Sequence, residues 1–548
     1  MHFVNKQCIF TTIGVCLVSS GLISAIFWME IFQAILAKEL ALKPESKSFQ
    51  MWKKPPLSLN FDIYLYNWTN PTNLTEDNYE KPILEQIGPY RFREVSVKTK
   101  VYWHPKNSTI SYRKRNTYYF DADGSVGRLN DKITTLNIVA ISAANTARNW
   151  GFMVQKQVSM ALKVYQQPIY VTKNASELLF DGYQDDMIDM GRLMPKFGQY
   201  TLNIPYDRFG WFYGRNESEE VNGHFNIKTG VDDIMELGVA KTFNYKTETG
   251  FYDKDCDQVR GSAGEFYPPG QTKDKPLTFF NGELCRYLDL YYTDELNVNG
   301  LTTYKYSATE RSVDNGTKYN EYSCFSTDKS IPSGVMNVSA CRYGAPVFIS
   351  FPHFYAADPS YLNYVDGMKP SKSDHEFYIA LDPRTGVPID VAARLQVNIH
   401  VQRYPNIELY QEAPELFFPV LWFEQKVRIP NEMIEDIRIA VSMPKIGYIC
   451  TAIIAGIGII FLIWVYCQRR QQLHTTDLKD LPSEKNEIEC EKRIEAEHSP
   501  LMKQKKKMSD FEIMHSPSKP RALRTPLPIA KNEVESIIIP DKIDTTQI

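Results

Sequence analysis

The chain has 548 residues, which is enough for two or three ordinary domains or one large one. Its 62 Lys and Arg residues are nearly balanced by 65 Asp and Glu residues, so the net charge of −3 excludes the strongly basic surface of a general nucleic-acid-binding protein. Aromatic residues make up 13% of the chain, which predicts a substantial packed core, and nine cysteines are too few for a small disulfide-dense scaffold.

Two long apolar segments bracket the chain. Residues 9–28 and residues 446–467 carry no charged side chain, and as helices each covers the ~30 Å hydrocarbon layer of a bilayer. A cleaved signal peptide is the alternative for the first segment, but its apolar run exceeds the usual ~7–15 residues and no convincing cleavage site follows. We therefore predict a short N-terminal segment (1–8), a first membrane helix (9–28), a large intervening domain (29–445), a second membrane helix (446–467) and a C-terminal tail (468–548).

Flanking charges and glycosylation sequons orient the two membrane segments. Arg469 and Arg470 directly follow the second segment, which indicates that its C-terminal side is cytosolic. All seven Asn-X-Ser/Thr sequons lie between the segments, and N-glycosylation requires the lumenal side. We therefore expect both termini in the cytosol. The candidate glycosylation sites are Asn67, Asn73, Asn107, Asn174, Asn216, Asn315 and Asn337.

Strand and helix patterns follow one another along the intervening domain. Apolar and polar residues alternate over 57–65, 95–103 and 395–401, which predicts half-buried antiparallel strands. Ala, Leu and Met at helical spacing over 131–165 predict one or two helices, and residues 176–180 predict a further short one. We expect an α+β chain in which a β-rich domain with a helical insertion lies between two membrane helices.

The tail differs in composition from the rest of the chain. After Gln468 it is rich in charged residues and has Phe511 as its one aromatic residue. Such a segment buries too little apolar surface to offset the entropy cost of ordering, so we predict a disordered cytosolic tail.

The cysteines divide by compartment. Cys8 and Cys467 lie at the cytosolic edges of the two membrane segments, where reversible palmitoylation is common and an inert thiol is the alternative. Four others lie in the intervening domain, and an even number in an oxidising compartment predicts two disulfides with three pairings open. These four are Cys256, Cys285, Cys324 and Cys341.

The sequence contains no motif typical of an enzyme, a metal site or a nucleotide-binding loop. His353 lies between apolar neighbours without an identifiable nucleophile or second metal ligand, so we expect a structural histidine. We predict no catalytic residue, no metal and no cofactor.

The second membrane segment carries a face of small residues. Gly447, Thr451 and Ala455 recur every four residues, which allows another helix to approach closely in lipid. The partner is either the first membrane segment or a second copy of the chain in a homo-oligomer, and general tolerance of glycine in membrane helices is the alternative.

Nine short sequence blocks lie along the intervening domain: residues 67–71 (NWTNP), 88–92 (GPYRF), 180–185 (FDGYQD), 208–211 (RFGW), 249–252 (TGFY), 344–347 (GAPV), 351–354 (FPHF), 382–386 (DPRTG) and 395–398 (LQVN). Taken with their order and the two-segment layout, these blocks resemble the class B scavenger receptor family, and most closely its croquemort-type phagocytic receptors. The resemblance implies antiparallel strands, a helical bundle at the membrane-distal apex, and an apolar tunnel that leads from the apex toward the bilayer. It also implies the disulfide pairs Cys256–Cys324 and Cys285–Cys341.

The resemblance further implies that a basic residue of the apical bundle captures the ligand. Lys163 lies closest to that position, and Lys156 precedes it on the same predicted helix. An exposed cation attracts fatty-acid carboxylates or anionic phospholipid while an apolar tunnel takes the acyl chain. Ordinary solvated lysines are the alternative.

The implied function is that of a cell-membrane scavenger receptor without enzymatic activity. It would bind lipid-bearing ligands (anionic phospholipid, fatty acid, apoptotic cells or lipoprotein-like particles) for phagocytosis or lipid uptake. Two alternatives in the family are a sensory neuron membrane protein that passes lipophilic odorants to a receptor, and a lysosomal lipid transporter or sorting receptor. A two-span ion channel and a membrane ectoenzyme are alternatives from other classes; the first usually has more exterior cysteines, and the second lacks a recognisable site here.

A candidate sorting signal lies in the tail. Glu497, Leu501 and Met502 fit an acidic dileucine-type signal and resemble the signal of the lysosomal member of the family. Such a signal is read by an endocytic adaptor, so it implies cycling to endosomes or lysosomes.

Overall fold

A computed structural model of the chain describes residues 2–75, 79–193, 204–326 and 330–479. It divides into two units, residues 1–466 and residues 467–548. The described part of the second unit continues the last helix. Residues 468–479 of the predicted disordered tail are helical and belong to the last helix, whereas residues 480–548, with the candidate sorting signal at Glu497, Leu501 and Met502, lie outside the described residues.

Seven α-helices and fifteen strands make up the described chain. The helices are α1 (His2–Leu40), α2 (Lys47–Lys53), α3 (Ile138–Ala147), α4 (Phe152–Val164), α5 (Asp186–Leu193), α6 (Lys372–His375) and α7 (Asn431–Lys479). The strands are β1 (Leu59–Trp68), β2 (Leu84–His104), β3 (Thr109–Phe120), β4 (Lys132–Leu136), β5 (Tyr170–Asn174), β6 (His224–Lys228), β7 (Ala240–Phe243), β8 (Leu277–Asn281), β9 (Arg286–Val298), β10 (Leu301–Ser307), β11 (Met336–Asn337), β12 (Val347–Ser350), β13 (Tyr378–Leu381), β14 (Pro388–Val401) and β15 (Leu416–Arg428).

One large antiparallel sheet organises the domain between the membrane segments. Its strand order is β7-β6-β3-β2-β1-β15-β14-β13-β10-β9-β8, while β12 pairs with both β14 and β11, and β4 and β5 form a separate pair. In its centre, Ile63 lies opposite Phe423 on one side and Tyr90 on the other. The α+β fold and the three strand predictions are confirmed, since the predicted segments belong to β1, β2 and β14.

The expectation that residues 395–401 are half-buried is wrong. Both faces of this part of β14 are buried, including the polar side chains of Gln396 and Asn398. Gln396 Nε2 donates to Asn398 Oδ1 at 2.8 Å, and Asn398 Nδ2 donates to Ser350 Oγ at 3.0 Å. These polar side chains therefore contact protein rather than water, and the hydrogen bonds that they form offset the cost of removing them from water.

The helical insertion is confirmed with one correction. Residues 132–136 form β4 rather than helix, because Asn137 ends the strand and caps α3: its Oδ1 accepts the Ala140 N–H at 3.1 Å. Gly151 separates α3 from α4 and is the N-cap of α4. The predicted short helix at 176–180 is present as a single π-helical segment over Glu177–Asp181.

The strand β15 sets the position of these helices. The segment directly before β15 contacts α4, and the C-terminal end of β15 leads into α7. Thirteen strand residues span about 40 Å, so α4 lies at the end of the sheet away from the membrane helix.

Both terminal helices extend beyond the predicted membrane segments. The helix α1 continues to Leu40, and α7 begins at Asn431, so both helices extend beyond the charge-free segments on the side of the intervening domain. Trp28 Nε1 donates to Pro444 O at 3.1 Å, which fixes the register of the two helices at the expected membrane boundary. Both helices are long and apolar enough to cross a membrane.

Glycines allow the two membrane helices to touch. A Cβ atom added at Gly21 would lie 2.9 Å from Ala455 N, and one added at Gly458 would lie 2.8 Å from Gly14 O. Gly447 lies against the indole ring of Trp28. The small-residue face of the second segment therefore packs on the first segment, which is one of the two partners that the sequence leaves open.

Candidate lipid-binding site

The helix α4 buries one face and exposes an apolar one. Val158, Ser159 and Leu162 face the interior. On the opposite side the exposed fractions of the apolar side chains exceed one half: Phe152 58%, Met153 69%, Met160 68% and Val164 64%. A cluster of exposed apolar side chains on one helix, at the end of the domain away from the membrane, is typical of a surface that contacts lipid or another protein.

Two lysines share this face with the apolar side chains. The Lys156 ammonium lies 5.8 Å from the centre of the Phe152 ring, and no carboxylate of the described residues lies within salt-bridge distance of it. The Lys163 ammonium lies 2.9 Å and 3.2 Å from the two carboxylate oxygens of Glu408. Of the two lysines that sequence reasoning selects, Lys156 therefore has the uncompensated charge.

The segment before β15 holds α4 in place. Ser159 Oγ accepts the Glu408 N–H at 2.9 Å, and Asn406 Nδ2 donates to Gln155 Oε1 at 2.7 Å. These bonds use the buried face of α4, so its apolar face stays outward. Sequence reasoning missed the exposed apolar face, although Phe152, Met153 and Met160 recur at helical spacing, and nothing in the sequence links Glu408 to a lysine 245 residues away.

Two cavities of the described residues differ in lining. One of about 400 Å³ lies between the start of β1 and the end of β15, and its lining includes Asp390, Lys426 and Arg428. The other, of about 240 Å³, lies beside the C-terminal end of α3 and is lined mainly by apolar groups. The apolar tunnel that the resemblance implies stays a prediction.

The four cysteines of the intervening domain form two disulfides. Cys256 is bonded to Cys324, and Cys285 is bonded to Cys341. These are the two pairs that the resemblance implies, among the three pairings that the count alone leaves open. Cys8 and Cys467 are free and exposed, and their palmitoylation stays a prediction.

The candidate glycosylation sites differ in exposure. Asn315 is 9% exposed, its Nδ2 donates to Ile331 O at 2.8 Å, and its Oδ1 accepts from Thr317. A glycan on that nitrogen would break the bond and require space that the fold does not provide. The other six are exposed or half-buried, and they are Asn67, Asn73, Asn107, Asn174, Asn216 and Asn337.

His353 lies in the interior against a second histidine. Its ring stacks on that of His375 with the centres 4.3 Å apart, and its Nε2 lies 2.8 Å from Gln86 Oε1. Gln86 Oε1 also accepts the indole N–H of Trp422 at 2.7 Å. Within the described residues, no group of three or more His, Cys, Asp or Glu side chains is arranged to hold a metal ion.

Comparison with known proteins places this geometry in a family. Residues 12–468 match the CD36 family, which covers both membrane helices and the domain between them. The chain belongs to the CD36 family. It is 41% identical over 454 residues to Protein peste of Drosophila melanogaster, which covers 82% of this chain and 80% of the relative.

Two vertebrate relatives match a similar share of this chain. Human Lysosome membrane protein 2 is 30% identical over 477 residues, with 84% of this chain and 96% of the relative covered. Scavenger receptor class B member 1 of Bos taurus is 28% identical over 467 residues, with 84% and 89% covered. The resemblance to class B scavenger receptors is thereby confirmed, and the chain is a two-span membrane protein of the scavenger receptor type.

Proposed function

We propose that this member of the CD36 family is a cell-surface receptor that captures lipid-bearing particles on the exposed face of α4, for phagocytosis or lipid uptake. The observation that carries the proposal is the combination, on one helix, of exposed Phe152, Met153, Met160 and Val164 with the uncompensated charge of Lys156. Fatty acid, anionic phospholipid, apoptotic cells and lipoprotein-like particles all present the matching surface.

The two kinds of side chain supply different terms of the binding energy. Each lysine near an anionic lipid surface contributes about 1 kcal/mol, and this term weakens as salt is added. Each apolar side chain that leaves water contributes up to about 1.5–3 kcal/mol and responds little to salt. Their combination favours a lipid surface with anionic head groups over both a neutral membrane and a soluble anion.

The two lysines have unequal roles in this proposal. Lys156 is available to an anion directly. Lys163 is held by Glu408, but both side chains are exposed, at 70% and 59%, and exposed ion pairs stabilise proteins by only about 0–1 kcal/mol. An anionic particle can therefore displace Glu408 from Lys163 at small cost.

The proposed topology places α4 outside the cell. With both termini in the cytosol, the sequons and both disulfides face the oxidising side of the membrane, where disulfides persist. The receptor then acts by binding and internalisation, without chemistry of its own, and the tail offers the sequence Glu497 to Met502 to an endocytic adaptor.

A flotation assay tests the proposal. The full chain in phosphatidylcholine nanodiscs is mixed with phosphatidylserine-containing vesicles, and we expect Lys156→Gln to weaken binding about fivefold, which corresponds to about 1 kcal/mol. Met160→Ser removes an apolar contact and should weaken binding at high salt as well. The matched control is Lys275→Gln, which removes an exposed lysine elsewhere on the domain. Equal loss in Lys156→Gln and Lys275→Gln would contradict the α4 site.

A lysosomal role in the same family is the second candidate. It is favoured by the similarity to Lysosome membrane protein 2 and by the tail signal at Glu497, Leu501 and Met502. Surface biotinylation distinguishes the two candidates. If the protein lies mainly inside the cell and Leu501→Ala shifts it to the surface, the lysosomal role is supported. If the protein lies mainly at the surface and Leu501→Ala does not change this, the receptor role is supported.

A further inference from the structure

The larger of the two cavities lies at the end of the sheet that leads into α7. Its volume of about 400 Å³ is within the ~300–1,000 Å³ range of small-molecule sites. The register of the sheet brings its walls together, because Asp390 of β14 lies opposite Arg428 of β15, and Asn60 of β1 lies opposite Lys426 of β15. The lining consists of residues 57–60, Tyr378, Asp390 and residues 426–428.

The lining combines polar side chains with an aromatic one. Ser58 and Tyr378 carry hydroxyl groups, and Asn60 carries an amide that both donates and accepts hydrogen bonds. Tyr378 also has an apolar ring, and Leu57 and Leu59 add aliphatic surface. Such a lining suits a molecule that has many hydroxyl groups and apolar C–H faces between them.

The carboxylate of Asp390 is only partly used by the protein. Asp390 is 3% exposed, and its Oδ2 accepts from Arg428 Nη2 at 2.7 Å. Its Oδ1 is buried and accepts no hydrogen bond from the described residues. A buried acceptor without a partner costs about 1–3 kcal/mol, and more when it is charged, so a group that donates to Oδ1 is strongly favoured here.

Lys426 supplies a positive charge that is not neutralised. Its side chain is exposed, and in residues 2–75, 79–193, 204–326 and 330–479 no carboxylate lies within salt-bridge distance of its ammonium. Arg428 is paired with Asp390, so those two charges cancel. The lining therefore has one net positive charge, which favours a ligand with one negative charge.

We propose that this cavity binds an acidic sugar, a ring with one carboxylate and several hydroxyls such as the sialic or uronic acid of a glycan. The carboxylate contacts Lys426, and a hydroxyl donates to Asp390 Oδ1. A fatty acid has no donor for Asp390, and its alkyl chain would lie against charged groups, so the chemistry differs from that of lipid capture. The site is also separate from the exposed face of α4 and does not depend on the proposed function.

A phospholipid head group that stays in the bilayer is a poorer match for the cavity. The strand β15 ends at Arg428, and residues 431–445 of α7 lie between it and the charge-free segment. At 1.5 Å per residue this stretch of helix is about 22 Å long. A glycan can approach the cavity from solution and does not have to cover this distance.

Saturation-transfer NMR tests the site with the full chain in phosphatidylcholine nanodiscs, after its own glycans have been removed enzymatically. The probes are methyl glucuronide and a methyl sialoside, and the matched control is methyl glucoside, which has the ring and hydroxyls of the glucuronide without its carboxylate. We expect at least one acid to bind, and methyl glucoside to bind about tenfold more weakly because a charge-assisted hydrogen bond is lost. The acid that binds more tightly identifies the kind of glycan.

Substitutions locate the bound sugar. Lys426→Gln should weaken binding of the acid about tenfold, while Lys275→Gln, which removes an exposed lysine outside the lining, should leave it unchanged. Butyrate, which has a carboxylate but no hydroxyl, should bind more weakly than the acidic sugar. Asp390→Asn should reduce this preference; because Asp390 is buried and paired, Lys426→Gln is the variant that decides if Asp390→Asn misfolds.

Several results would overturn the proposal. They are the absence of binding by both acids, equal binding of methyl glucoside or butyrate, and binding that is the same in Lys426→Gln. Glycerol 3-phosphate that binds more tightly than both acids, and is lost in Lys426→Gln, would replace the sugar with a phospholipid head group. Lys426→Gln should leave binding to phosphatidylserine vesicles unchanged, so failure of this site and failure of the α4 site are distinguishable.

Discussion

The buried histidine pair predicts that the domain loses stability as the pH falls. His353 Nδ1 accepts the Lys369 N–H at 3.0 Å, and His375 Nδ1 accepts the Ser371 N–H at 3.0 Å, so neither nitrogen has room for a proton while these bonds exist. Burial lowers the pKa of His353 to about 3, with further lowering by the charges of His375 and Lys369. Burial lowers the pKa of His375 to about 4, against the opposing charge of Asp374.

The sign and size of this change in stability with pH follow from the difference in proton uptake between the folded and the unfolded chain. A histidine of the unfolded chain has a pKa of about 6.5 and takes up a proton as the pH falls below that value, while the same histidine of the folded chain stays neutral. Stability therefore falls from about pH 6.5 down to the folded pKa, about 4 for His375 and about 3 for His353. At about pH 5 each histidine of the unfolded chain is about 1.5 pH units below its pKa, so at 1.36 kcal/mol per pKa unit the two histidines together lower the stability by about 4 kcal/mol. Because Asp374 and water can partly stabilise a charged ring, we expect about half of this value, ~2 kcal/mol.

The assay compares thermal unfolding of the full chain in detergent at about pH 7 and about pH 5, where we expect the melting temperature of the wild type to fall by about 3 °C through these groups. His375→Asn is the test variant, since its amide oxygen can accept the Ser371 N–H and does not titrate. The drop between the two pH values should be smaller in this variant by about one third to one half. An equal drop in variant and wild type would refute the reasoning, because the remaining titrating groups are the same in both.

Three further predictions concern the α4 site, glycosylation and the membrane helices. Glu408→Gln frees Lys163 and should tighten binding to phosphatidylserine vesicles about two- to fivefold at low salt; unchanged or weaker binding would contradict the displacement argument. Asn315 should carry no glycan in the secreted-pathway protein, so Asn315→Gln should leave the gel mobility of the protein unchanged. Asn107→Gln is the comparison: it should increase the gel mobility, and treatment with a glycosidase should remove this difference. Gly21→Leu should lower thermal stability in detergent, whereas Gly456→Leu, whose added Cβ meets no atom within 4 Å, should not; equal effects would argue against the packing of the two helices.

Residue patterns within one segment were sufficient to predict the strands and the membrane helices. Alternation over 57–65 marks a strand because it places one face on the core, and the two charge-free segments mark the membrane helices because the bilayer excludes charge. Residues 95–103 are also a strand, but there Lys98 is buried while Val95 and Val97 are only half-buried. The helix ends were missed, since α1 and α7 continue through charged residues that can lie in water.

The contacts between distant segments could not be read from the sequence. The polar face of residues 395–401 predicts exposure, but it is buried, and the neighbouring strand β12, almost fifty residues earlier in the chain, supplies hydrogen-bond partners for it. The pairing of His353 with His375 and of Lys163 with Glu408 likewise depends on tertiary packing. Sequence reasoning found both lysines of the candidate site but could not tell that one of them is paired.

The central claim is that lipid surfaces contact the exposed face of α4, and hydrogen–deuterium exchange of the full receptor tests it most directly. With phosphatidylserine vesicles the account predicts slower amide exchange over residues 152–164 that is absent with phosphatidylcholine vesicles and reduced in Lys156→Gln. Bound vesicles that leave the exchange of α4 unchanged while protecting another surface would contradict it.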